Sequence, residues 1–339
     1  MVRRKLDIVS LEPTPREVFF DRRRFIGAAS AGVAGIAGIA AAAPVFADDP
    51  DERILKPPLQ RPGVFPAKRN EAYTLPQGQR ADLTPRLAAA THNNFYEFLP
   101  GKGGPAWEGT TKFEVDPWKI EVTGECKNPM TLDLDALFAF PHEERVYHFR
   151  CVERWAMNVP WSGFPLKLLI DQAQPTEKAR FLRFESASKP DQMPGIREAH
   201  WYPWPYHEAL RMDEATNELA MVVTGVYGEP LLKQHGAPVR IVVPWKYGYK
   251  NPKSIVKIEF VEKPPMTFWM MQRHEYGFLS NVNPNIPHPR WSQGISYWLD
   301  TEEPFRTQMF NGYDAQVAAL YPDEPRTPQE PLREGQIAR

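Results

Sequence analysis

Proline is the residue that most limits how this chain can fold, since 36 of its 339 residues are prolines. Each proline fixes its own φ angle and removes a backbone hydrogen-bond donor, so prolines shorten regular elements. In residues 48–105 they interrupt every run of residues, at Pro57, Pro58, Pro62, Pro66, Pro76 and Pro85. We therefore predict an irregular arm there, and short elements joined by long ordered connections elsewhere.

Hydrophobic patterning predicts mostly strands after the arm. Apolar residues alternate or cluster over short runs that are typical of strands: 118–123, 147–152, 181–185, 220–223, 239–243 and 255–261. In the last of these runs, Ile255 breaks an otherwise regular alternation. Short helices are predicted at residues 131–140 and from Pro165, a residue favoured at helix starts, to about Ala173. Because strands and helices do not alternate regularly, the fold class is α+β, mixed and strand-rich.

The beginning of the chain has the pattern of a twin-arginine export signal. Arg22 and Arg23 are followed by Phe25 and Ile26 and then by a weakly apolar, glycine-diluted run. Small residues before Asp48 fit a cleavage site, so we predict that residues 1–47 are removed on export to the periplasm; the alternative is a membrane anchor. This route carries proteins that are already folded, which favours a protein with an inserted cofactor.

The charge balance of the remaining 292 residues disfavours nucleic acid as a partner. The export signal contains seven of the 41 basic and four of the 42 acidic side chains, which leaves 34 and 38 and a net charge of −4. Nucleic-acid binding depends on a positive field that this balance does not supply. Aromatic residues, at 12% of the sequence, are enough for a sizeable core.

The chain has two cysteines, Cys126 and Cys151. In an oxidising compartment they could form one disulfide, or one of them could be a metal ligand. Cys151 lies between Arg150 and Arg154, an electropositive setting that favours a thiolate. The same spacing also fits a buried core cysteine. Two cysteines cannot build a Cys₄ iron–sulfur site, and no haem-attachment motif is present in the sequence.

Several segments together indicate a known family. Behind the twin-arginine leader the following occur in order: THNNFYEF (91–98), FRCVE with Trp155 (149–155), PWSG (160–163), QMPG (192–195), GAPVR (236–240) and PWKYG (244–248). In this order they resemble the catalytic subunits of periplasmic protein-methionine-sulfoxide reductases, which have the sulfite oxidase fold. The resemblance spans about residues 22–298, which is most of the chain.

The resemblance implies one molybdenum–molybdopterin cofactor per chain, without an attached nucleotide. Cys151 is implied as the catalytic residue and the single protein ligand of molybdenum, a metal that suits soft sulfur. Arg240 is implied to hold the terminal phosphate through paired hydrogen bonds. His235 stands where a relative may have Asn, and either side chain can donate a hydrogen bond. The implied cofactor-binding residues are Asn93, Tyr96, Glu97, Cys151, Ser186, His235, Arg240, Asn251, Pro252 and Lys253.

The implied activity is reduction of methionine sulfoxide in exported proteins, by oxygen-atom transfer to molybdenum. Since the sequence has no iron–sulfur or haem motif of its own, we expect an external electron donor. The resemblance implies that this donor is a haem-containing membrane subunit. The implied substrates are oxidised periplasmic proteins, and the twin-arginine machinery is the implied export partner. The organisation that follows is a signal at 1–47, an arm at 48–105 that carries part of the cofactor site, a molybdopterin-binding catalytic domain at 106–321 and a C-terminal tail at 322–339.

Two other functions remain open from sequence. A sulfite-oxidising enzyme of the same fold would need basic residues converging on its anionic substrate, and Arg150 and Arg154 fit that role. A non-catalytic periplasmic binding protein would use Cys126 and Cys151 as a structural disulfide.

Overall fold

The computed structural model describes residues 50–99, 105–273 and 275–329. The predicted export signal at 1–47 and residues 330–339 of the predicted tail lie outside this part of the chain. None of the helices within it is both long and apolar enough to cross a membrane.

Strands dominate the described part of the chain, in agreement with the predicted class. They are β1 (Lys68–Arg69), β2 (Lys119–Gly124), β3 (Met130–Asp133), β4 (Glu143–Arg150), β5 (Trp155–Pro165), β6 (Phe181–Ser186), β7 (His207–Arg211), β8 (Met221–Val226), β9 (Glu229–Pro230), β10 (Arg240–Val242), β11 (Ile255–Val261), β12 (Ile295–Trp298) and β13 (Pro304–Arg306). One sheet has β4 and β5 at its centre as an antiparallel hairpin, with β8 and β12 on β5 and β10 on β8. The other sheet runs in the order β3-β2-β11-β6-β7.

The helices are short, and several of them begin next to a proline. They are α1 (Pro50–Leu55), α2 (Arg86–Thr91), α3 (Ala106–Gly109), α4 (Leu134–Phe138), α5 (Leu166–Ala173), α6 (Pro194–Glu198), α7 (Met212–Ala215), α8 (Phe268–Gln272) and α9 (Asp314–Val317). Pro85 and Pro165 immediately precede α2 and α5. Proline suits the start of a helix because an N–H at that position would have no intrahelical acceptor, so nothing is lost by its absence. The described residues of the predicted irregular arm, 50–99 and 105, contain α1, α2 and β1.

Two differences between the predicted and observed elements have local physical causes. The helix predicted at 131–140 is a strand followed by a helix, because β3 pairs with β2 and Asp133 caps the helix by accepting a hydrogen bond from the Ala136 N–H at 2.8 Å. The strand predicted at 255–261 is confirmed as β11. Its broken alternation coincides with a register irregularity between Ile255 and Lys257, which leaves Ile255 buried.

A buried ion pair joins distant segments of the core. The Lys246 Nζ donates to Glu214 Oε1 at 2.7 Å, and neither side chain is exposed to solvent. Tyr321 and Asn281 complete the arrangement, at 2.7 Å from Glu214 Oε1 and 2.9 Å from Lys246 Nζ. Burial alone would raise the pKa of Glu214, but the Lys246 charge and the hydrogen bonds outweigh burial and lower that pKa. Asn281 also donates to Glu324 at 3.2 Å, so the pair lies beside the beginning of the predicted tail.

We expect Lys246→Met to destabilise the protein by about 3–5 kcal/mol, because it leaves the Glu214 carboxylate buried without its cation. The urea midpoint measured by circular dichroism should fall accordingly. Lys167→Met is the control, since Lys167 pairs with Asp171 on the surface at 54% exposure for both side chains. Removing that pair should cost less than about 1 kcal/mol. Equal midpoints for the two variants would contradict the structural role of Lys246.

Candidate active site

A cavity of roughly 800 Å³, including its open mouth, lies where the β4–β5 hairpin meets the segment that follows α2. Six of the ten site residues predicted from sequence line it: Asn93, Tyr96, Glu97, Cys151, Arg240 and Lys253. These residues come from the arm, the hairpin, β10 and the turn before β11. The fold therefore brings together residues that are up to 160 positions apart in the sequence.

Cys151 sits in the turn of the β4–β5 hairpin. Its N–H donates to the Trp155 carbonyl at 3.0 Å, and its own carbonyl accepts from the Arg154 N–H at 2.9 Å. The turn closes because Arg154 adopts a left-handed conformation with φ of 82°. Eight paired positions between β4 and β5 fix the register of the hairpin, and with it the position of this thiol.

The surroundings of the thiol differ from the electropositive setting predicted from sequence. Arg150 is buried and donates to Ser296 Oγ at 2.7 Å, while Arg154 donates to the Ile295 carbonyl at 2.9 Å. Burial raises the pKa of Cys151, and the nearby Glu153 carboxylate raises it further, against a smaller lowering effect of Arg150. The flanking arginines thus do not make this thiol acidic. A bound metal cation would lower the pKa of this thiol directly, because a coordinating thiol loses its proton.

Two weak donors approach the sulfur. The Asn94 side-chain amide and the Glu153 N–H both lie 3.5 Å from Cys151 Sγ, and Asn94 also donates to Glu153 Oε2 at 2.9 Å. N–H donors stabilise negative charge on sulfur, so they favour the thiolate form. Asn94 and Glu153 line the cavity, and both belong to the segments that carry the family resemblance.

Arg240 is a buried cation that makes no ion pair with a carboxylate among the described residues. Its Nη1 donates to the His235 carbonyl at 2.9 Å, its Nη2 lies 3.4 Å from the Asn251 carbonyl, and no described atom accepts a hydrogen bond from its Nε. Burial lowers the pKa of Arg240 to about 9, and no described carboxylate raises it again. A guanidinium held in this way is suited to a bound anion.

Lys253 and Glu97 supply further charge to the same cavity. The Lys253 Nζ donates to the Asn94 carbonyl at 3.1 Å. Burial lowers the pKa of Lys253 to about 8, and the like charge of Arg240 adds to that effect. Burial raises the pKa of Glu97 to about 7, although Lys253 opposes the shift.

The QMPG segment lets the Tyr96–Glu97 backbone approach closely. The Gly195 N–H donates to the Glu97 carbonyl at 2.9 Å. A Cβ on Gly195 would lie 1.9 Å from the Tyr96 carbonyl oxygen, so no larger residue fits at that position. The glycine thereby sets the position of one cavity wall.

Four of the predicted residues do not line the cavity. Ser186 and His235 are buried beyond its walls, and Ser186 Oγ and His235 Nδ1 have no hydrogen-bond partner. The backbone of Asn251 and Pro252 is engaged within the protein: the Asn251 N–H donates to Gly248, and the Pro252 carbonyl accepts from Ile241. Their contact with a cofactor stays a prediction.

Four aromatic residues of the cavity wall were not predicted from the sequence. Tyr206, Tyr249, Trp269 and Tyr276 line the cavity from outside the resembling motifs, and Trp269 does so from α8. Their positions depend on how distant segments of the chain meet, for which the sequence carries no periodic signal. Trp155, by contrast, belongs to the segment at 149–155 that carries the family resemblance.

Residues 108–269 match the family model described as oxidoreductase molybdopterin binding domain. The chain is 45% identical over 324 residues to the protein-methionine-sulfoxide reductase catalytic subunit MsrP of Burkholderia mallei, with 93% of each chain covered. The MsrP proteins of Ralstonia nicotianae and Xanthomonas axonopodis are 45% and 43% identical, again over 93% of this chain and over 94% and 95% of theirs.

The chain belongs to the protein-methionine-sulfoxide reductase catalytic subunit family. This result confirms the resemblance and, with the family model, the sulfite oxidase-type fold class. A solved structure, the sulfane dehydrogenase SoxCD from Paracoccus pantotrophus, aligns over 45% of this chain and 40% of its own at a TM-score of 0.39 and 18% identity.

The residues present fit a molybdopterin. A pterin with a phosphate needs hydrogen-bond donors, an anion partner and a soft metal ligand. Arg240 lines the cavity, and its Nε is a buried polar atom without a hydrogen-bond partner in the described part of the chain; such orphans are rare unless a ligand or water satisfies them. Ser186 Oγ and His235 Nδ1 are further buried orphans there, although their residues do not line the cavity. The unpaired Cys151 thiol lines the same cavity, and Cys126 is a separate, half-buried free thiol. The structure therefore does not contain the disulfide that a binding protein would use.

Proposed function

We propose that this protein reduces methionine sulfoxide in other proteins to methionine, using a molybdenum–molybdopterin cofactor bound in the cavity. One observation carries the proposal: a chain with MsrP relatives at 45% identity places a free cysteine and a buried, uncompensated arginine in one open cavity. When bound, this cofactor would supply two-electron oxygen-atom transfer chemistry, which together with two protons converts the sulfoxide into the thioether and water.

The protein residues hold and tune this cofactor. Cys151 supplies the sulfur ligand, and Asn94 and the Glu153 N–H donate towards that sulfur from 3.5 Å. Arg240 and Lys253 would bind the phosphate of the molybdopterin. Its negative charge would offset the repulsion between these two cations. Hydrogen-bonded partners of this kind orient metal ligands and tune the metal.

The cavity suits a neutral sulfoxide better than sulfite. Arg150 and Arg154, the candidate sulfite-binding residues, donate to Ser296 and to the Ile295 carbonyl and do not line the cavity. The wall near Cys151 is instead aromatic, with Tyr96, Trp155 and Tyr276 among its members. Aromatic faces favour the apolar body and methyl group of a methionine side chain.

Location and partner are part of the same proposal. The Arg22–Arg23 pair supports export of the folded protein to the periplasm, and residues 1–47 are then removed. The relatives are named catalytic subunits, which supports a second subunit as electron donor. A haem-containing membrane subunit, as the family resemblance implies, is the proposed donor, and the two cysteines of this sequence form no haem-attachment motif of their own.

The test is metal analysis of the purified protein combined with turnover. We expect one molybdenum per chain and reduction of free and protein-bound methionine sulfoxide with a reduced dye as electron donor. A protein without molybdenum would support the binding-protein alternative. Oxidation of sulfite without reduction of sulfoxide would support the other enzyme.

We expect Arg22→Lys together with Arg23→Lys to abolish export while leaving the protein folded and loaded with cofactor. The twin-arginine route requires the arginine pair, and lysine keeps the positive charge of the leader. Immunoblotting of periplasmic and cytoplasmic fractions measures the effect. Arg3→Lys together with Arg4→Lys is the control and should be exported normally. Efficient periplasmic delivery of the Arg22, Arg23 variant would contradict folded export.

A further inference from the structure

A row of aromatic rings leads from the cavity to the protein surface. Tyr96 and Trp269 line the cavity, with ring centroids 5.1 Å apart. Trp269 lies 6.3 Å from Tyr202, and Tyr202 lies 6.1 Å from Trp201. Trp201 is 65% exposed, more than any other large hydrophobic side chain in the described residues. Trp201, Tyr202 and Trp269 are called the aromatic shelf below.

The shelf is held in place by the protein backbone. The Tyr202 N–H donates to the Ala199 carbonyl at 3.1 Å, and the Trp204 N–H donates to the Tyr202 carbonyl at 2.8 Å. Trp269 is on α8, whose Phe268 is buried against Tyr202 with centroids 5.7 Å apart. The exposure of Trp201 is therefore built into an ordered turn. Exposed apolar surface of this kind marks binding sites, and tryptophan is enriched among residues that dominate binding energy.

Two exposed methionines accompany the shelf. Met271 is on α8 and Met266 lies just before it, at 44% and 54% exposure. Methionine side chains are flexible and polarisable, and they recur on surfaces that bind many different partners. The chemistry of this surface thus suits varied apolar segments rather than one fixed partner.

We propose that the aromatic shelf binds the apolar residues adjacent to the oxidised methionine of a protein substrate. The proposal rests on the proposed function and specifies how the same site takes a polypeptide. When the sulfoxide enters the cavity, the neighbouring residues must leave through its mouth, and the shelf begins at the cavity wall with Trp269. An extended segment advances about 3.3 Å per residue, so the shelf reaches roughly three to five residues on one side. Because methionine is commonly buried in protein cores, those residues are often apolar.

The experiment compares three substrates on the molybdenum-loaded protein: free methionine sulfoxide, a nine-residue peptide with a central methionine sulfoxide and Leu, Val and Phe neighbours, and the same peptide with Ser and Gly neighbours. We expect Trp201→Ala to raise KM for the apolar peptide about tenfold at unchanged kcat, the size of effect typical of a removed binding tryptophan. The KM for free methionine sulfoxide should not change, and Trp201→Phe should keep most of the apolar-peptide affinity.

Leu168→Ala is the matched control, since Leu168 is 36% exposed on α5 and does not line the cavity. It should leave all three KM values at the wild-type level. Fluorescence anisotropy with the labelled, unoxidised apolar peptide gives a second readout that needs no turnover, and Trp201→Ala should weaken this binding about tenfold as well.

The outcomes separate this inference from the proposed function. If the wild type reduces none of the three substrates, the proposed function is wrong. The anisotropy measurement with the apolar peptide then tests by itself whether the shelf binds polypeptide. If Trp201→Ala and wild type bind the apolar peptide equally, the shelf is not a substrate-binding surface. A KM increase of the same size for free methionine sulfoxide would also overturn the shelf, because it would place the effect inside the cavity.

Discussion

Cys151→Ser should lower turnover of methionine sulfoxide by at least about 100-fold per bound molybdenum. Serine offers a hard, weakly acidic hydroxyl in place of a soft thiolate, and ligand exchange of this kind changes the electronic properties of the metal. The residues proposed to hold the pterin and its phosphate, including Arg240, are unchanged in the variant. Much of the cofactor should therefore still bind, and the loss should appear in kcat. The measurement is dye-coupled sulfoxide reduction alongside metal quantification.

Cys126→Ser is the matched control for this variant. Cys126 is also a free thiol, but it is half-buried in the turn after β2, where its backbone forms an isolated antiparallel β-bridge with Pro175. Its replacement should leave turnover per molybdenum unchanged. If Cys151→Ser instead lost stability but kept normal turnover per loaded molecule, Cys151 would be a core residue and the ligand assignment would be wrong.

Arg240→Ala should sharply reduce the amount of cofactor that survives purification. Removing one partner of a buried charge pair costs about 2–5 kcal/mol, which corresponds to at least a roughly 30-fold weaker affinity. Arg240→Lys keeps the charge but loses the planar fork, so its cofactor content should be intermediate. Molybdenum and pterin content per folded protein are the measured quantities.

A matched arginine controls for general effects of the substitution. Arg69 pairs with Glu144 at the surface, with 37% of its side chain exposed, and Arg69→Ala should keep full cofactor content. The apoprotein of Arg240→Ala should also be at least as stable as wild-type apoprotein, because the substitution removes an uncompensated buried cation. Wild-type molybdenum content in Arg240→Ala would exclude the anion-binding role.

The sequence predicted those parts of the fold that depend on local pattern. The strand at 255–261 and the helix after Pro165 followed from alternation and from proline chemistry, and both are present as β11 and α5. The longest strand, β5, was missed: ten of its eleven residues are buried, so no alternation of apolar and polar residues marks it, and Pro160 lies within it.

The site was predictable where its residues lie in contiguous motifs. Asn93, Tyr96, Glu97 and Cys151 come from two such motifs, and the structure brings them to one cavity. Tyr206, Tyr249 and Trp269 could not be predicted, because their place in the wall depends on contacts between segments far apart in sequence. The orphaned Arg240 Nε likewise becomes visible only after burial and partners are known.

The sequence distance between the walls of the cavity has a consequence for synthesis. One wall comes from residues 92–97 and another from Trp269 and Tyr276, so the cavity closes only after most of the chain has left the ribosome. Contacts of such long range form slowly and late in folding. The proposed cofactor would therefore find no complete site on an early fragment and would bind only a nearly complete chain. Its binding would then report that most of the chain has folded, and the proposed export route for folded proteins could use that event as its checkpoint.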